Sequence, residues 1–148
     1  MGSAVSAPAT ADQAPTEALR VAGLRATRQR LTVLESLQGR AENVTAQDLH
    51  AELRRAGEPI GLTTVYRTLS ALADAGFLDT FNREGEQAFR LCGEVHHHHL
   101  VCETCNKVEE ITAQAVERWV SEVASRHEFA VTGHRADVFG VCQACRAP

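Results

Sequence analysis

Apolar residues in the first half of the chain recur every three or four positions, which is the spacing of one face of a helix. Gly, Pro or a helix-capping residue separates the successive segments. The pattern predicts four helices, over 16–22, from Thr27 to before Gly39, from Thr45 to before Gly57, and over 62–75. Thr27 and Thr45 are the expected N-caps, because a threonine hydroxyl accepts a hydrogen bond from a backbone N–H of the first turn. Residues 1–15 lack this periodicity and are rich in Ala, Ser, Pro and Thr, which predicts a disordered leader.

The fourth predicted helix has an apolar stripe and a polar face. On a helical wheel the stripe consists of Val65, Leu69 and Leu72. The opposite face carries polar, aromatic and cationic side chains, Thr63, Tyr66, Arg67 and Ser70. Such a face suits DNA, where Arg pairs with guanine or a phosphate and Tyr contacts a thymine methyl group. The alternative interpretation is an ordinary solvated helix face.

Two extended segments follow this helix, over 77–81 and 87–91, and a polar turn at 82–85 joins them. Three helices, a further helix with an exposed polar face and a two-stranded wing are typical of a winged helix-turn-helix domain. We therefore predict such a domain over 16–91, with its fourth helix in the DNA major groove.

The pattern changes after the predicted wing. Apolar segments predict strands over 99–102, 108–111, 129–131 and 137–141, and a helix that Thr112 caps and that ends near Arg126. This helix has an apolar stripe, Val116, Trp119, Val120 and Val123. The stripe would cover the sheet of its own domain or pack against a second subunit. We predict a connecting segment over 92–97 and a second, small α/β domain over 98–148, so that the fold class of the whole chain is α+β.

Four of the five cysteines form two Cys-x-x-Cys pairs, Cys102 with Cys105 and Cys142 with Cys145. Two such pairs supply the tetrahedral four-thiolate shell of structural zinc. The alternatives are two disulfides or a thioredoxin-like redox motif, but no signal peptide indicates an oxidising compartment. We predict that zinc joins the ends of the second domain and adds to its stability.

A run of four histidines begins at His96 and leads into the first cysteine pair. If the run is extended, successive side chains point in opposite directions, so His96 and His98 face one way while His97 and His99 face the other. One strand would then supply ligands to two metal sites. An affinity tag or a solvated loop is the alternative, but tags lie at termini and this run is internal.

Two isolated residues are further ligand candidates. Glu117 lies at the edge of the apolar stripe, and His134 lies in the predicted turn between the last two strands. Their ordinary alternatives are a solvated carboxylate at a helix edge and an exposed histidine in a turn.

Charge divides the chain unevenly. Residues 20–70 hold eight arginines and five acidic residues, whereas residues 71–148 hold seven basic and twelve acidic residues. A positive first half is expected of a domain that meets an anionic partner. The hydrophobic content of 44% is ordinary for a folded protein, and no stretch approaches the ~20 apolar residues of a membrane span. We expect a cytoplasmic protein.

From Leu19 to Arg146 the sequence resembles the ferric uptake regulator family of bacterial metal-sensing repressors, and within it the zinc uptake regulators. The likeness is carried by specific motifs, Ala26–Arg30, Gly61–Leu69, Ala75–Gly76, His96–Cys102 and the two Cys-x-x-Cys pairs. The resemblance implies a homodimer whose subunits join through an α/β dimerisation domain over 98–148, with a hinge over 92–97. It implies binding to a palindromic operator in double-stranded DNA, with the bound metal as corepressor. It also adds Arg28, within the first motif, to the expected DNA contacts.

The resemblance further implies three metal sites, with two to three Zn²⁺ per subunit. The structural site consists of cysteines, Cys102, Cys105, Cys142 and Cys145. The regulatory site joins the two domains through Asp79, Cys92, His97 and His99. An additional site in the dimerisation domain consists of His96, His98, Glu117 and His134. A Cys ligand in the regulatory site favours zinc over iron or manganese.

Two other classes of function remain as alternatives. Within the family, the chain would instead sense iron, manganese or peroxide. Outside it, a zinc hydrolase or deaminase would use Glu94 or Glu117 as a proton shuttle. A catalytic zinc keeps one coordination position open, whereas each ligand set here supplies four protein groups. We therefore predict a DNA-binding regulator without catalytic residues.

Overall fold

The computed structural model describes residues 15–93 and 95–147. The chain divides into two compact units, Met1–Glu94 and Val95–Pro148. The predicted leader lies outside the described residues apart from Pro15, and so does Glu94. Within the described ranges, no helix has the length and apolar character needed to cross a membrane.

Over residues 15–93 the first unit contains four helices and three strands, namely α1 (Pro15–Val21), α2 (Arg28–Glu35), β1 (Val44–Thr45), α3 (Ala46–Arg55), α4 (Leu62–Asp74), β2 (Leu78–Arg83) and β3 (Glu86–Leu91). The strands form an antiparallel sheet in the order β1-β3-β2. Both predicted threonine caps are confirmed, because Thr27 and Thr45 each accept a hydrogen bond from a backbone N–H of the helix that follows.

The wing turn is shorter than predicted. Glu84 and Gly85 both have positive φ, at 54° and 88°, and the strands continue to Arg83 and from Glu86. The Asn82 side chain accepts a hydrogen bond from the backbone N–H of Gly85. This local bond lets two residues reverse the chain, where a four-residue turn was expected.

One apolar core holds the first unit together. The predicted stripe on α4 is confirmed, since Val65, Leu69 and Leu72 are fully buried. They pack with apolar residues of the other helices and of the sheet. Thr68 is also buried, and its hydroxyl donates to the carbonyl of Thr64 at 2.7 Å. Burial of one face of α4 leaves its other face to solvent.

The second unit contains β4 (His98–Cys102), β5 (Val108–Ile111), α5 (Gln114–Arg126), β6 (Asp137–Gly140) and α6 (Gln143–Arg146). Its sheet has the order β5-β4-β6, in which β4 pairs antiparallel with β5 and parallel with β6. The histidine strand is therefore the middle strand, with fixed neighbours on both sides.

Two predictions for this unit are wrong. Thr112 is not the N-cap of α5, because the chain stays non-helical for one residue longer and Ala113 takes the cap position without a side-chain hydrogen bond. Residues 129–131 do not form a strand. Phe129 and Val131 are 75% and 48% exposed, so their apolar character does not reflect burial within this single chain.

Candidate metal centres and nucleic-acid interface

The structure brings the four paired cysteines together. Cys102 ends β4, Cys105 follows in the next turn, and Cys142 and Cys145 lie at α6. Their sulfur atoms all lie within 4.8 Å of one another, and Cys105 Sγ and Cys142 Sγ are 3.8 Å apart. In a tetrahedral site with Zn–S bonds of ~2.3 Å, the sulfur atoms lie about 3.8 Å from one another. A disulfide would need an S–S distance of about 2.05 Å, and all five cysteines are free thiols.

The backbone at this cluster prepares one sulfur for a cation. The N–H of Cys142 donates to Cys102 Sγ at 3.3 Å, and this bond, with others from the Cys105 and Thr104 N–H groups, lowers the pKa of Cys102 to about 6. The hydrogen bond with the Cys142 sulfur and those with the remaining sulfurs raise the pKa of Cys145 to about 12. Four thiols this close do not all ionise by themselves, so a bound cation is needed to form the four-thiolate shell.

A second cluster gathers three histidines around one carboxylate. The Nε2 atom of His98 lies 2.7 Å from Glu117 Oε1, and that of His96 lies 3.2 Å from the same oxygen. The Nε2 atom of His134 lies 3.0 Å from Glu117 Oε2. Tetrahedral zinc with bonds of ~2.0–2.1 Å requires ligand atoms about 3.3 Å apart. A small expansion of this cluster therefore accommodates the ion.

The carboxylate of this cluster is strongly stabilised as an anion. The hydrogen bond with His98, together with those from His134 and His96, lowers the pKa of Glu117 to about 2. Glu117 lies on α5, and its side chain is 40% exposed, whereas His98 on β4 is 2% exposed. An ion held here would fasten the first turn of α5 to the middle strand of the sheet.

The other two histidines lie together on a separate side of the run, as the alternation predicts. The His97 and His99 rings are 4.8 Å apart and perpendicular. His97 Nδ1 lies 2.6 Å from the carbonyl oxygen of Val95, and His99 Nδ1 lies 2.8 Å from Asp137 Oδ1. The alternation survives although His96 and His97 precede the strand itself.

Within the first unit, Asp79 and Cys92 share a neighbour that sequence reasoning missed. Arg90 is the cross-strand partner of Asp79 in the β2–β3 pair. Its Nη1 donates to Cys92 Sγ at 3.1 Å and its Nε to the Ala41 carbonyl at 3.2 Å. Burial, and secondarily the Asp79 carboxylate, raises the pKa of Cys92 to about 12 despite the guanidinium. Cys92 is therefore a neutral thiol until a metal displaces its proton.

The candidate DNA-binding face lies on α4. Thr63, Tyr66 and Arg67 are exposed, and Tyr66 retains 52% of its accessible surface. Gly61 begins the helix without a side-chain cap, and its first turn contains no acidic residue. Backbone N–H groups and the helix dipole therefore favour an anion such as a phosphate at this end. Arg28, the first residue of α2, is also exposed.

Ser70 departs from the expected exposure. Ser70 as a whole is half-buried, and its hydroxyl oxygen is buried without a hydrogen-bond partner among the described residues. The wheel treats the helix as isolated, whereas in the folded unit the neighbours of Ser70 are themselves covered, with Leu69 buried and Ala71 partly buried. The exposed face therefore narrows toward the C-terminus of α4, and the expectation that Ser70 is exposed is wrong.

Known proteins share this architecture. The sequence profile of the ferric uptake regulator family matches residues 21–139. A zinc uptake regulation protein of Mycobacterium tuberculosis is 46% identical over 130 residues, covering 87% of this chain and 100% of that protein. The structure of the Vibrio cholerae ferric uptake regulator, 37% identical, has a TM-score of 0.71 and covers 86% of this chain and 98% of its own. A zinc uptake regulator complexed with zinc and DNA, 28% identical, has a TM-score of 0.66, and the match covers 87% of this chain and 88% of that one. Because the profile spans most of the chain and the mycobacterial protein is matched along its whole length, this chain belongs to the ferric uptake regulator family.

Proposed function

We propose that this protein is a zinc-responsive transcriptional repressor that controls genes of zinc uptake and homeostasis, with zinc as its corepressor. One observation carries the proposal. The predicted regulatory ligands are divided between the units, with Asp79 and Cys92 in the first and His97 and His99 in the second. One ion bound to all four would restrict how the DNA-binding unit is held. The similarity to proteins named as zinc uptake regulators supports the same function.

Zinc would act by shifting a conformational equilibrium. An ion that binds one conformer of the dimer more tightly increases the population of that conformer. A change from 1:99 to 99:1 requires about a 10⁴-fold difference in affinity between the two conformers. The favoured conformer would hold two winged helices at the spacing of a palindromic operator.

The apolar surface of the second unit supports a homodimer. Trp119 and Phe129 are 63% and 75% exposed. With neighbouring residues they line a groove of ≈ 450 Å³, formed by Trp119, Val120, Val123, Ala124, His127, Phe129, Val131 and Gly133. An amphipathic helix with no buried residue in the single chain requires a second apolar surface. A second copy supplies it, and residues 129–131 would then be covered between subunits.

The donor atoms support zinc as the metal. Four cysteines would hold a structural ion, the Cys92 thiolate in the regulatory set prefers zinc to iron or manganese, and the three-histidine cluster also suits zinc. We infer two to three zinc ions per subunit. The chain is also similar to a ferric uptake regulator. The alternative function is therefore sensing of iron, manganese or peroxide.

We also propose that the protein has no catalytic role and acts in the cytoplasm. Each proposed ligand set has four protein groups, and a catalytic zinc would need an open position for water. A reducing compartment would keep the five free cysteines available to metal.

The test is a DNA-binding titration at buffered free zinc, iron and manganese, on an operator selected from random sequence. We expect operator affinity to rise at the lowest free concentration for zinc. A stronger response to iron or manganese at physiological concentrations would support the alternative, and metal-independent binding would contradict both.

Single substitutions separate the regulatory set from the additional set. Cys92→Ser or His97→Ala should leave a folded, zinc-containing dimer whose DNA affinity no longer responds to zinc. His98→Ala, on the other side of the histidine run, should lower the zinc content and shift the response without abolishing it. The assignment is wrong if Cys92→Ser responds normally while His98→Ala does not. If all three variants behave alike, the four histidines serve one site.

A further inference from the structure

His99 has a partner in the second unit that no motif indicated. Asp137 lies beside it on the neighbouring strand β6, and the two residues are register partners in the parallel pair. Both side chains are nearly enclosed, at 5% and 14% exposure. The Nδ1···Oδ1 distance of 2.8 Å is that of a strong hydrogen bond between an imidazole and a carboxylate.

The second oxygen of Asp137 is held as well. Arg135 Nε donates to Asp137 Oδ2 at 2.7 Å. A guanidinium has no acceptor, so it always presents a donor to this oxygen. The carboxylate is therefore fixed from one side by Arg135 and from the other by its place in the sheet, and Oδ1 remains directed at His99.

The direction of the hydrogen bond follows from these partners. A carboxylate only accepts, so His99 Nδ1 must carry the proton and donate it. In this tautomer the lone pair of the ring is on Nε2, the nitrogen that must then bind a metal. A carboxylate behind a metal-bound histidine also increases the basicity of the ring, and its removal typically lowers metal affinity about 10–100-fold.

The additional cluster is built differently. His98 directs Nε2 to Glu117, and its Nδ1 is buried with no hydrogen-bond partner among the described residues. A carboxylate that is not itself a proposed metal ligand therefore pairs with the ring of His99, whereas the only carboxylate described at His98 is the proposed ligand Glu117. We propose that Asp137, oriented by Arg135, is a positioning residue that fixes the tautomer of His99 and so raises the zinc affinity of the regulatory site. This inference rests on the proposed function, because it requires His99 to be a regulatory ligand.

Asp137→Asn provides a test that depends on Arg135. Arg135 only donates, so the new amide must turn its oxygen toward Arg135 and its NH₂ toward His99. His99 Nδ1 must then accept, and the proton moves to Nε2, where it blocks the metal. Adding Arg135→Ala removes this constraint and lets the amide rotate. We therefore expect Asp137→Asn to bind regulatory metal about 10–100-fold more weakly and the double variant to recover part of that loss.

The measurements use the full-length dimer with its four-cysteine site filled by zinc. Cobalt titration, followed by the thiolate absorption that Cys92 would produce, reports affinity at the regulatory site. Operator binding across buffered free zinc gives a second measure. ¹⁵N NMR of the histidine rings before metal addition reports which nitrogen of His99 carries the proton. Glu109→Gln, which removes a carboxylate that pairs with Lys107 on the same sheet, is the matched control and should not change any of the three.

The outcomes separate this inference from the proposed function. If His99→Ala leaves cobalt binding and the zinc response unchanged, His99 is not a regulatory ligand and the proposed site fails. If His99→Ala abolishes both while Asp137→Asn binds normally, the positioning role is wrong. Equal losses in Asp137→Asn and in the double variant would also contradict it, because a merely structural Asp137 predicts no recovery. A proton on Nε2 of His99 in the wild-type protein would overturn it without any variant.

Discussion

The two units bury their apolar side chains to very different extents. Of the 21 buried apolar side chains in the described chain, 18 belong to the first unit, and only Val101, Cys102 and Val108 belong to the second. Most of the large apolar side chains that remain exposed lie in the second unit, including Trp119 and Phe129. The first unit therefore has a core of its own, whereas the second must gain stability from bound metal and from a second copy.

Loss of the four-cysteine site should have the largest effect. Cys142→Ser should remove one zinc per chain and unfold the second unit, because structural zinc contributes about 10–16 kcal/mol of apparent binding free energy in zinc-finger peptides at pH 7. The chain has one tryptophan, Trp119 in α5, and one tyrosine, Tyr66 in α4. Thermal unfolding followed by fluorescence at these two residues should show an early transition at Trp119 only.

Cys92→Ser is the control for this prediction, since it removes the cysteine outside the two pairs. It should leave the temperature of the Trp119 transition as in the wild type. Unchanged melting and zinc content in Cys142→Ser would contradict the four-cysteine assignment and the contrast between the units.

The dimer surface should give the next largest effect. Trp119→Glu places a charge in the apolar stripe of α5, and we expect the dimer to weaken by at least about 2 kcal/mol, or roughly 30-fold in Kd, as for a central interface residue. Arg118→Glu introduces the same side chain on the opposite face of the helix and should leave the dimer intact. Sedimentation equilibrium measures the dimer Kd of both variants. An equal weakening in the two would show that the added charge, and not its position in the apolar stripe, weakens the dimer.

A smaller effect is expected at the DNA-binding face, where no core or interface is disturbed. Arg67→Ala should weaken operator binding by about 1–3 kcal/mol at every zinc concentration, with zinc stoichiometry and melting unchanged. Arg126→Ala, which removes an exposed arginine of α5, is the comparison. An equal loss in both variants would indicate a general charge effect and would argue against α4 as the reading helix.

The smallest effect should come from a partly buried ion pair of the first unit. Arg40 donates two hydrogen bonds to Glu52, at 2.7 and 3.2 Å, and they lower the pKa of Glu52. Glu52→Gln should therefore cost no more than about 1 kcal/mol at neutral pH. Because the folded-state pKa is depressed, this difference is present above the ordinary glutamate pKa near 4.3 and disappears as pH falls through the lowered value.

Denaturant unfolding of wild type and Glu52→Gln between pH 3 and 7 checks this, with Glu35→Gln as an exposed control. A difference between wild type and Glu52→Gln that grows as the pH falls would have the wrong sign.

Sequence reasoning succeeded where the signal is local. The caps at Thr27 and Thr45, the stripe of α4 and the alternation of the histidines depend on neighbours within a few positions. It failed where distant residues decide. Strand β1 has only two residues and exists because Val44 pairs with Phe89. The apolar pattern at 129–131 predicts a strand, but these side chains are exposed in the single chain and pair with no strand.

The same limit explains the site residues that were missed. Asp137 and Arg90 belong to no motif, and their contacts with His99 and Cys92 depend on strand register. Ser70 was misjudged because a helical wheel contains no neighbouring elements.

The parallel pairing of β4 with β6 also has a consequence for synthesis of the chain. His99 and Asp137 are 38 positions apart, and a ribosome adding about 5–20 residues per second needs roughly 2–8 seconds to reach the second after the first. During that interval the histidine run has been translated without its parallel partner β6 and without the last two cysteines. The first unit has its complete sequence by then, so it can fold before the second unit has all of its metal ligands. In a cell short of zinc, the newly made second unit would stay open to proteases, and the amount of repressor would itself fall with the metal.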